Sequence, residues 1–149
     1  MNFRRAHNED VELVDACLLS GRTLKNSRLD EIVHAALATP NDEYRVALAV
    51  ENAKIEIVAA YGMVAGTIGT AALYGAIPIT GRVMDLLSFV AHDVQNLGAQ
   101  QIVAEFPDTD EFRPYRDVLL ESGYNPTGLV EDFYRDGVAM VIFTRVFAV

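Results

Sequence analysis

The chain has 149 residues, 51% of them hydrophobic and 22% charged, with a formal net charge of −9. That length suits one domain, spanning residues 1–149, with a core large enough to need no disulfide or metal staple. The acidic balance argues against a nucleic-acid or membrane surface. The single cysteine, Cys17, allows no internal disulfide and fits a cytoplasmic setting, and His7, His34 and His92 are too scattered to form a metal cluster. The opening MNFRRAHNED lacks the apolar segment of a secretory signal.

Met1 to Ala6 reads as a short edge strand. Asn8 is placed to cap a following helix, with Glu9 and Asp10 in a first turn whose dipole favours carboxylates. Val11, Val14 and Leu18 form an apolar stripe that Leu13 and Cys17 widen, and Gly21 ends the helix. Arg22 to Asn26 is a polar loop. Ser27-Arg28-Leu29-Asp30 has the form of a capping box, and Leu29, Ile32, Val33, Ala36 and Leu37 give a second amphipathic helix, broken at Thr39-Pro40-Asn41-Asp42.

Strands follow. Tyr44, Val46, Leu48 and Val50 alternate with Arg45, Ala47 and Ala49. Glu51 to Lys54 is a turn, Ile55 to Val64 a strand, Ala65-Gly66-Thr67 a turn, and Ile68 to Ile79 a strand; short turns make these neighbours antiparallel. The run Ile55 to Ile79 is long enough to raise the question of a membrane span, but its glycines, β-branched residues and Pro78 read as two strands. Thr80-Gly81-Arg82 is a tight turn, and Val83, Leu86, Leu87, Val90, Ala91, Val94 and Leu97 keep helical spacing up to Gly98, a left-handed C-cap. Ile102 to Phe106 is the next strand. Strand, turn, helix, strand makes two parallel strands with a right-handed crossover, and the helix N-terminus offers backbone N–H groups to an anion. Phe112, Tyr115, Val118 and Leu119 then line a helix that Ser122-Gly123 ends. Tyr124 to Gly128 is irregular, and Leu129 to Tyr134 and Val138 to Phe147 form a hairpin around Asp136-Gly137.

This order of elements resembles the GNAT family (GCN5-related N-acetyltransferases) over nearly the whole chain. Ile57-Val58-Ala59-Ala60-Tyr61-Gly62 is similar to the family's third strand. Gly98 to Glu105 is similar to the approach to its fifth, Leu120-Glu121-Ser122-Gly123-Tyr124 to the end of its fourth helix, and Phe133 to Ile142 to its last hairpin. The resemblance implies an α/β (α+β) fold, a mixed central sheet flanked by helices. It also implies an acyltransferase that uses acetyl-CoA, or another acyl-CoA, to acylate a small-molecule or protein amine.

In that family the cofactor's pyrophosphate sits on a Q/R-x-x-G-x-G/A turn. The resemblance therefore implies cofactor binding at Ile77, Ile79, Thr80, Gly81, Arg82, Val83 and Met84. Gly81 keeps the first glycine, whereas Pro78 replaces the leading Gln/Arg and Val83 the second Gly/Ala; Asp85 lies one turn in. Leu119 stands where the family often carries a general-acid tyrosine. Glu105, at the end of the fifth strand, is the candidate base, against a plain solvated carboxylate. Tyr115, one turn before Leu119, is the candidate acid, against a packing role. Tyr61 and Tyr74 are cleft-side aromatics or core. The rival reading is a GNAT-fold module that binds a ligand or partner without turnover. The apolar residues of the last hairpin, with Val141 and Phe143 among those seeking cover, predict a homodimer through that edge.

Overall fold

The computed structural model describes residues 1–20, 27–39 and 41–148. Its strands are β1 (Asn2–Arg5), β2 (Arg45–Glu51), β3 (Lys54–Met63), β4 (Thr70–Ile77), β5 (Gln101–Pro107), β6 (Asn125–Arg135) and β7 (Val138–Val146); its helices are α1 (Val11–Ser20), α2 (Ser27–Ala38), α3 (Val83–Asn96) and α4 (Arg113–Glu121). The strands form one sheet in the order β1-β2-β3-β4-β5-β7-β6. Every neighbouring pair is antiparallel except β4 and β5, which the α3 crossover makes parallel. This is the expected mixed sheet flanked by helices. The run from Ile55 to Ile79 holds strands and a turn, and among the described residues no helix is long and apolar enough to cross a membrane.

Register and alternation assign the helices to faces. The Tyr61 hydroxyl on β3 donates to Asp93 of α3 at 2.6 Å, so Tyr61 faces α3. Its neighbour Ala60 faces the other way and pairs with Gly75 of β4. Gly75 lies against Leu29 of α2, so α2 covers the face opposite α3. Core burial follows the apolar spacing closely. Val83, Leu86, Leu87, Val90, Ala91 and Val94 are buried on α3, and Leu29, Ile32, Val33, Ala36 and Leu37 on α2. Gly98 adopts φ +95° after α3, and its N–H and that of Ala99 bond back to Gln95 and Val94, a Schellman C-cap.

Several expectations are corrected. Asn8 is not the cap: a short 3-10 turn, Asn8–Asp10, precedes α1, and the His7 backbone N–H donates to the Asp10 carboxylate at 2.7 Å. Asp10 is itself buried and takes two more bonds from the Arg4 guanidinium, both 2.9 Å. Leu13 is 51% exposed, because the buried arc of α1 runs through Val14, Cys17 and Leu18. β4 is shorter than the apolar run: Ile68 sits in the preceding turn at 91% exposure, and Ile79 follows the strand. β6 begins at Asn125, since Asn125 and Pro126 already pair with Thr144 and Phe143. On β7, Val141 and Phe143 are covered within the molecule, Phe143 by Phe106 with ring centroids 5.1 Å apart; the exposed apolar side chains of the hairpin include Val146 at the end of β7 and Leu129, Val130 and Phe133 of β6. The expected helix end at Gly21, the loop Arg22 to Asn26, the Ser27 capping side chain and the break at Pro40 lie outside the described residues.

His34 has partners that the sequence did not disclose. Its Nδ1 lies 2.8 Å from the Asp30 carbonyl and its Nε2 2.7 Å from the Asp15 carboxylate of α1. A carbonyl and a carboxylate both accept, so only the doubly protonated ring satisfies both. The Asp15 bond holds the His34 pKa above the ordinary histidine value.

Two predictions follow from these contacts. Asp10→Ala lowers stability in urea denaturation by about 1–2 kcal/mol, the scale of a lost helix cap. The Arg4 hydrogen bond holds the Asp10 carboxyl below the usual range, so its stabilisation is complete above about pH 4 and fades as pH falls through the depressed folded value; the variant therefore loses less stability in acid than the wild type. For His34 the sign is opposite: its contribution is full below about pH 6.5 and is lost as pH rises through the raised folded value. NMR titration of His34 gives a pKa above that of a free histidine, and Asp15→Asn brings it down.

Candidate functional site

The site begins where β4 leaves β5. Their parallel pairing covers Thr70↔Gln101 to Leu73↔Ala104 and stops there, although β4 continues to Ile77 and β5 to Pro107. A bulge lies at the same point: Leu73 pairs with Tyr61 and Gly75 with Ala60, so Tyr74 is the extra residue between the two pairs. The extra residue bends β4 away from β5, and past Leu73↔Ala104 no β5 residue is in register with β4 among the described residues.

The resulting gap is narrow, with a cavity volume of about 10 Å³, and is lined from both faces of the sheet. Leu73 faces α3 with Tyr61, and its partner Ala104 faces α3 with it, so Phe106 does too; Glu105 points to the α2 face. The gap is accordingly lined on the α2 side by Leu29, Gly75 and Glu105, and on the other by Phe106, Phe112 and Tyr115. Tyr74 lines it at the bulge, with its ring 6.0 Å from that of Tyr44.

The two candidate catalytic residues thus line one gap from opposite faces. Glu105 is exposed on its strand. Tyr115 is 4% exposed, its ring edge-on to Phe106 at 5.3 Å, and its hydroxyl has no hydrogen-bond partner among the described residues. Burial, with Tyr124 nearby, pushes its phenol well above the ordinary tyrosine range, so it keeps its proton at neutral pH. Tyr124 is also buried, its hydroxyl without a hydrogen-bond partner among the described residues. Tyr61, by contrast, is a core residue, fully buried and committed to Asp93. Leu119 is fully buried in α4.

The turn that leads into α3 is less open than its sequence suggests. Val83 N–H donates to the Thr80 carbonyl at 3.1 Å, and the Val83 side chain is in the core. The backbone N–H groups of Met84 and Asp85, in the first turn of α3, have no partner within the helix by geometry. Arg82 Nε donates to Asp85 at 2.8 Å, both side chains half-exposed, which neutralises Asp85 and engages the turn's one basic group. Gly81 does not occupy the left-handed region, and a Cβ built on it meets nothing within 4 Å. The turn therefore tolerates a side chain there. Ile77 is buried at the end of β4, Ile79 is half-buried, and Thr80 is exposed.

Leu29, Gly75, Phe106 and the bulge at Tyr74 were not singled out from the sequence. A glycine inside a strand is a signal for a bulge or a close approach, and Gly75 carries it.

No protein-family model matches the chain, and no curated protein matches it in sequence. Solved structures do. A protein from Desulfovibrio desulfuricans assigned to the GNAT family is 25% identical, with a TM-score of 0.87 over 99% of each chain. A ribosomal-protein-alanine N-acetyltransferase from Brucella melitensis is 13% identical, with a TM-score of 0.78 over 99% of this chain and 100% of that one. An aminoglycoside 6′-N-acetyltransferase from Enterococcus faecium is 12% identical, with a TM-score of 0.75 over 98% of this chain and 97% of that one. The fold is the GNAT fold.

Because Gly81 is conformationally free to change, Gly81→Ala leaves urea stability within about 0.5 kcal/mol of wild type, as surface substitutions do. Any weakening of CoA binding by this variant in calorimetry then reports a ligand lying against the turn. Val83→Gly loses several times more stability, since it empties a core position.

Proposed function

We propose that the protein transfers an acyl group from acetyl-CoA, or another acyl-CoA, to the nitrogen of an amine. The observation that carries this reading is the gap between β4 and β5, with a proton-bearing Tyr115 on one face and the Glu105 carboxylate on the other. The GNAT fold supports it, because GNAT acetyltransferases share this architecture.

The residues present fit such a donor. The first turn of α3, with the N–H groups of Met84 and Asp85, suits a phosphate. The edge of β4 past the bulge, at Gly75 to Ile77, where the ladder with β5 has ended, offers backbone N–H groups to a polarised carbonyl. The Tyr115 hydroxyl, buried without a partner, gains one from a sulfur in the gap. The thioester supplies an activated acyl carbon: the C–N bond forms as the C–S bond breaks. On the α2 face Glu105 accepts the proton that the amine gives up, and on the α4 side Tyr115 holds the proton that a departing thiolate takes. The division puts base and acid on opposite sides of the acyl carbon, where an amine and a thiolate must lie.

The turn favours a second reading. Val83 N–H is engaged, Arg82 is paired with Asp85, and Pro78 and Val83 depart from the family's pattern. A module that binds a ligand without turnover also has these features.

One comparison tests both. CoA is titrated by calorimetry, and thiol release from acetyl-CoA is followed with a panel of amines. Tyr115→Phe lowers kcat by about 10²- to 10⁴-fold, the range of a general acid, while stability is unchanged or higher because an unsatisfied buried hydroxyl is removed. Glu105→Gln lowers kcat in the same range, with CoA affinity unchanged. CoA binding without thiol release on any amine supports the module, and no CoA binding contradicts both.

A further inference from the structure

We propose that the outer strand β6 is the interface of a homodimer, in which the β6–β7 hairpins of two copies lie on one another, antiparallel, about a two-fold axis. β6 stands at the end of the sheet order with β7 as its neighbour, and ten of its eleven residues are exposed. Leu129 is paired with Val141 and Val130 with Met140, so the two side chains point to opposite faces of the sheet. Both are exposed, so neither face of the strand is covered there. Phe133 and Tyr134, edge-on to each other at 5.0 Å, add exposed rings toward the tip of the hairpin, and Val146 adds a side chain 72% exposed at its base. A monomer of 16.4 kDa is expected to expose about 7,500 Å², whereas this chain exposes 8198 Å². The excess of about 700 Å² approaches the roughly 800 Å² that each partner buries in a stable interface.

Charge selects the occupant and its direction. The charged groups of the hairpin are Glu131, Asp132, Arg135 and Asp136 toward the tip and Arg145 at the base. Arg145 lies over the Phe147 ring, 5.5 Å from its centroid, next to the exposed Val146. An antiparallel arrangement sets the acidic, aromatic tip of each copy beside the Arg145 and Val146 base of the other, twice over, and keeps the two acidic tips apart; a parallel one would bring the tips together. The hairpin is thus complementary to itself, as a two-fold interface requires. Val130 is the middle residue of Asn125–Arg135, so the axis passes beside it, and Leu129 and Val130 of the two copies meet at the centre. Side chains make this contact in place of a shared ladder. Pro126 has no N–H to give, and the β6–β7 register slips between Pro126 and Gly128 and again between Val130 and Arg135. Asp132 takes φ +55°, its carboxylate accepting from the Gly137 N–H at 2.8 Å. Such irregularities blunt an edge against strand addition.

The test is sedimentation velocity on the wild type, Val130→Lys, Arg145→Glu, the charge exchange Asp136→Arg with Arg145→Glu, and Ile68→Lys, an exposed position outside the hairpin. Circular dichroism identifies any variant that fails to fold, and Val130→Lys, at an exposed site, serves if the Arg145 variants do not. The wild type is expected to be a dimer at about 50 µM, within the range of interfaces of this size. Val130→Lys sets two like charges at the axis and weakens the dimer at least about 100-fold. Arg145→Glu weakens it about tenfold, and the charge exchange brings it back to within about threefold of wild type, while Ile68→Lys leaves it unchanged. A monomeric wild type, including one that engages a different partner through β6, overturns the proposal, as does a dimer that Val130→Lys leaves intact. A dimer weakened by Val130→Lys but not recovered by the charge exchange overturns the antiparallel arrangement. The outcome is independent of whether the protein transfers acyl groups.

Discussion

The bulge at Tyr74 is the constraint on which the rest of the structure depends. A parallel pair of strands normally zips along its whole length. Here one extra residue on β4 stops the ladder after Leu73 and Ala104, and a narrow gap replaces what would have been a continuous core. The sheet survives the opening because each lip is held from behind. β4 remains paired to β3 as far as Ile77↔Val58, and β5 to β7 through Pro107↔Met140. The aromatic rings of Phe106, Phe112, Tyr115 and Phe143 brace one face, and Leu29 on Gly75 braces the other. The parting of two strands thus leaves backbone groups, a phenol and a carboxylate around one gap without unfolding anything.

A polar cluster fixes the helix that carries the turn. Asp93 of α3 accepts from Tyr61 at 2.6 Å and from Arg45 of β2 at 2.9 Å, and Arg45 also donates to Asp42 at 2.9 Å. Burial, reinforced by Asp93, pushes the Tyr61 phenol far above its ordinary value, so it stays a neutral donor. Deep groups of this kind are costly unless partnered. Their arrangement ties α3 to two strands at once, so the N-terminal turn of α3 is held relative to the end of β4. Gly62 belongs to the same structure: a Cβ there would collide with the Glu43 backbone, and Met63 N–H bonds to the Asp42 carbonyl at 2.7 Å.

What could be read from the sequence was what local periodicity encodes. The strand–turn–helix–strand unit, the buried stripe of α3 and the left-handed Gly98 follow from spacing and backbone preference alone, and the order of elements sufficed for the fold. The gap was harder. A bulge changes register by one residue without altering composition, and Gly75 was its only local mark. Pairings between distant segments were equally hidden. His34 and Asp15 lie on different helices, and Arg4 and Asp10 are joined across the turn that leads from β1 to α1. Arg82 and Asp85 were legible as neighbours on a helix, but their pairing decides whether the turn is electrostatically open, and that depends on rotamers. Glu105 and Tyr115 were named from position along the chain; alternation on β5 sends Glu105 to the opposite face from Tyr115, so that they line the gap from its two sides.

The most direct measurement is a titration of the isotopically labelled protein with CoA, followed residue by residue through its backbone amide resonances. If the gap and the turn at its end form the donor site, the largest shifts fall on Tyr74 to Ile77 of β4 and on Gly81 to Asp85, with Glu105 and Phe106 next. Shifts confined to the β6–β7 hairpin, or scattered weakly over the surface while these amides stay fixed, would contradict it.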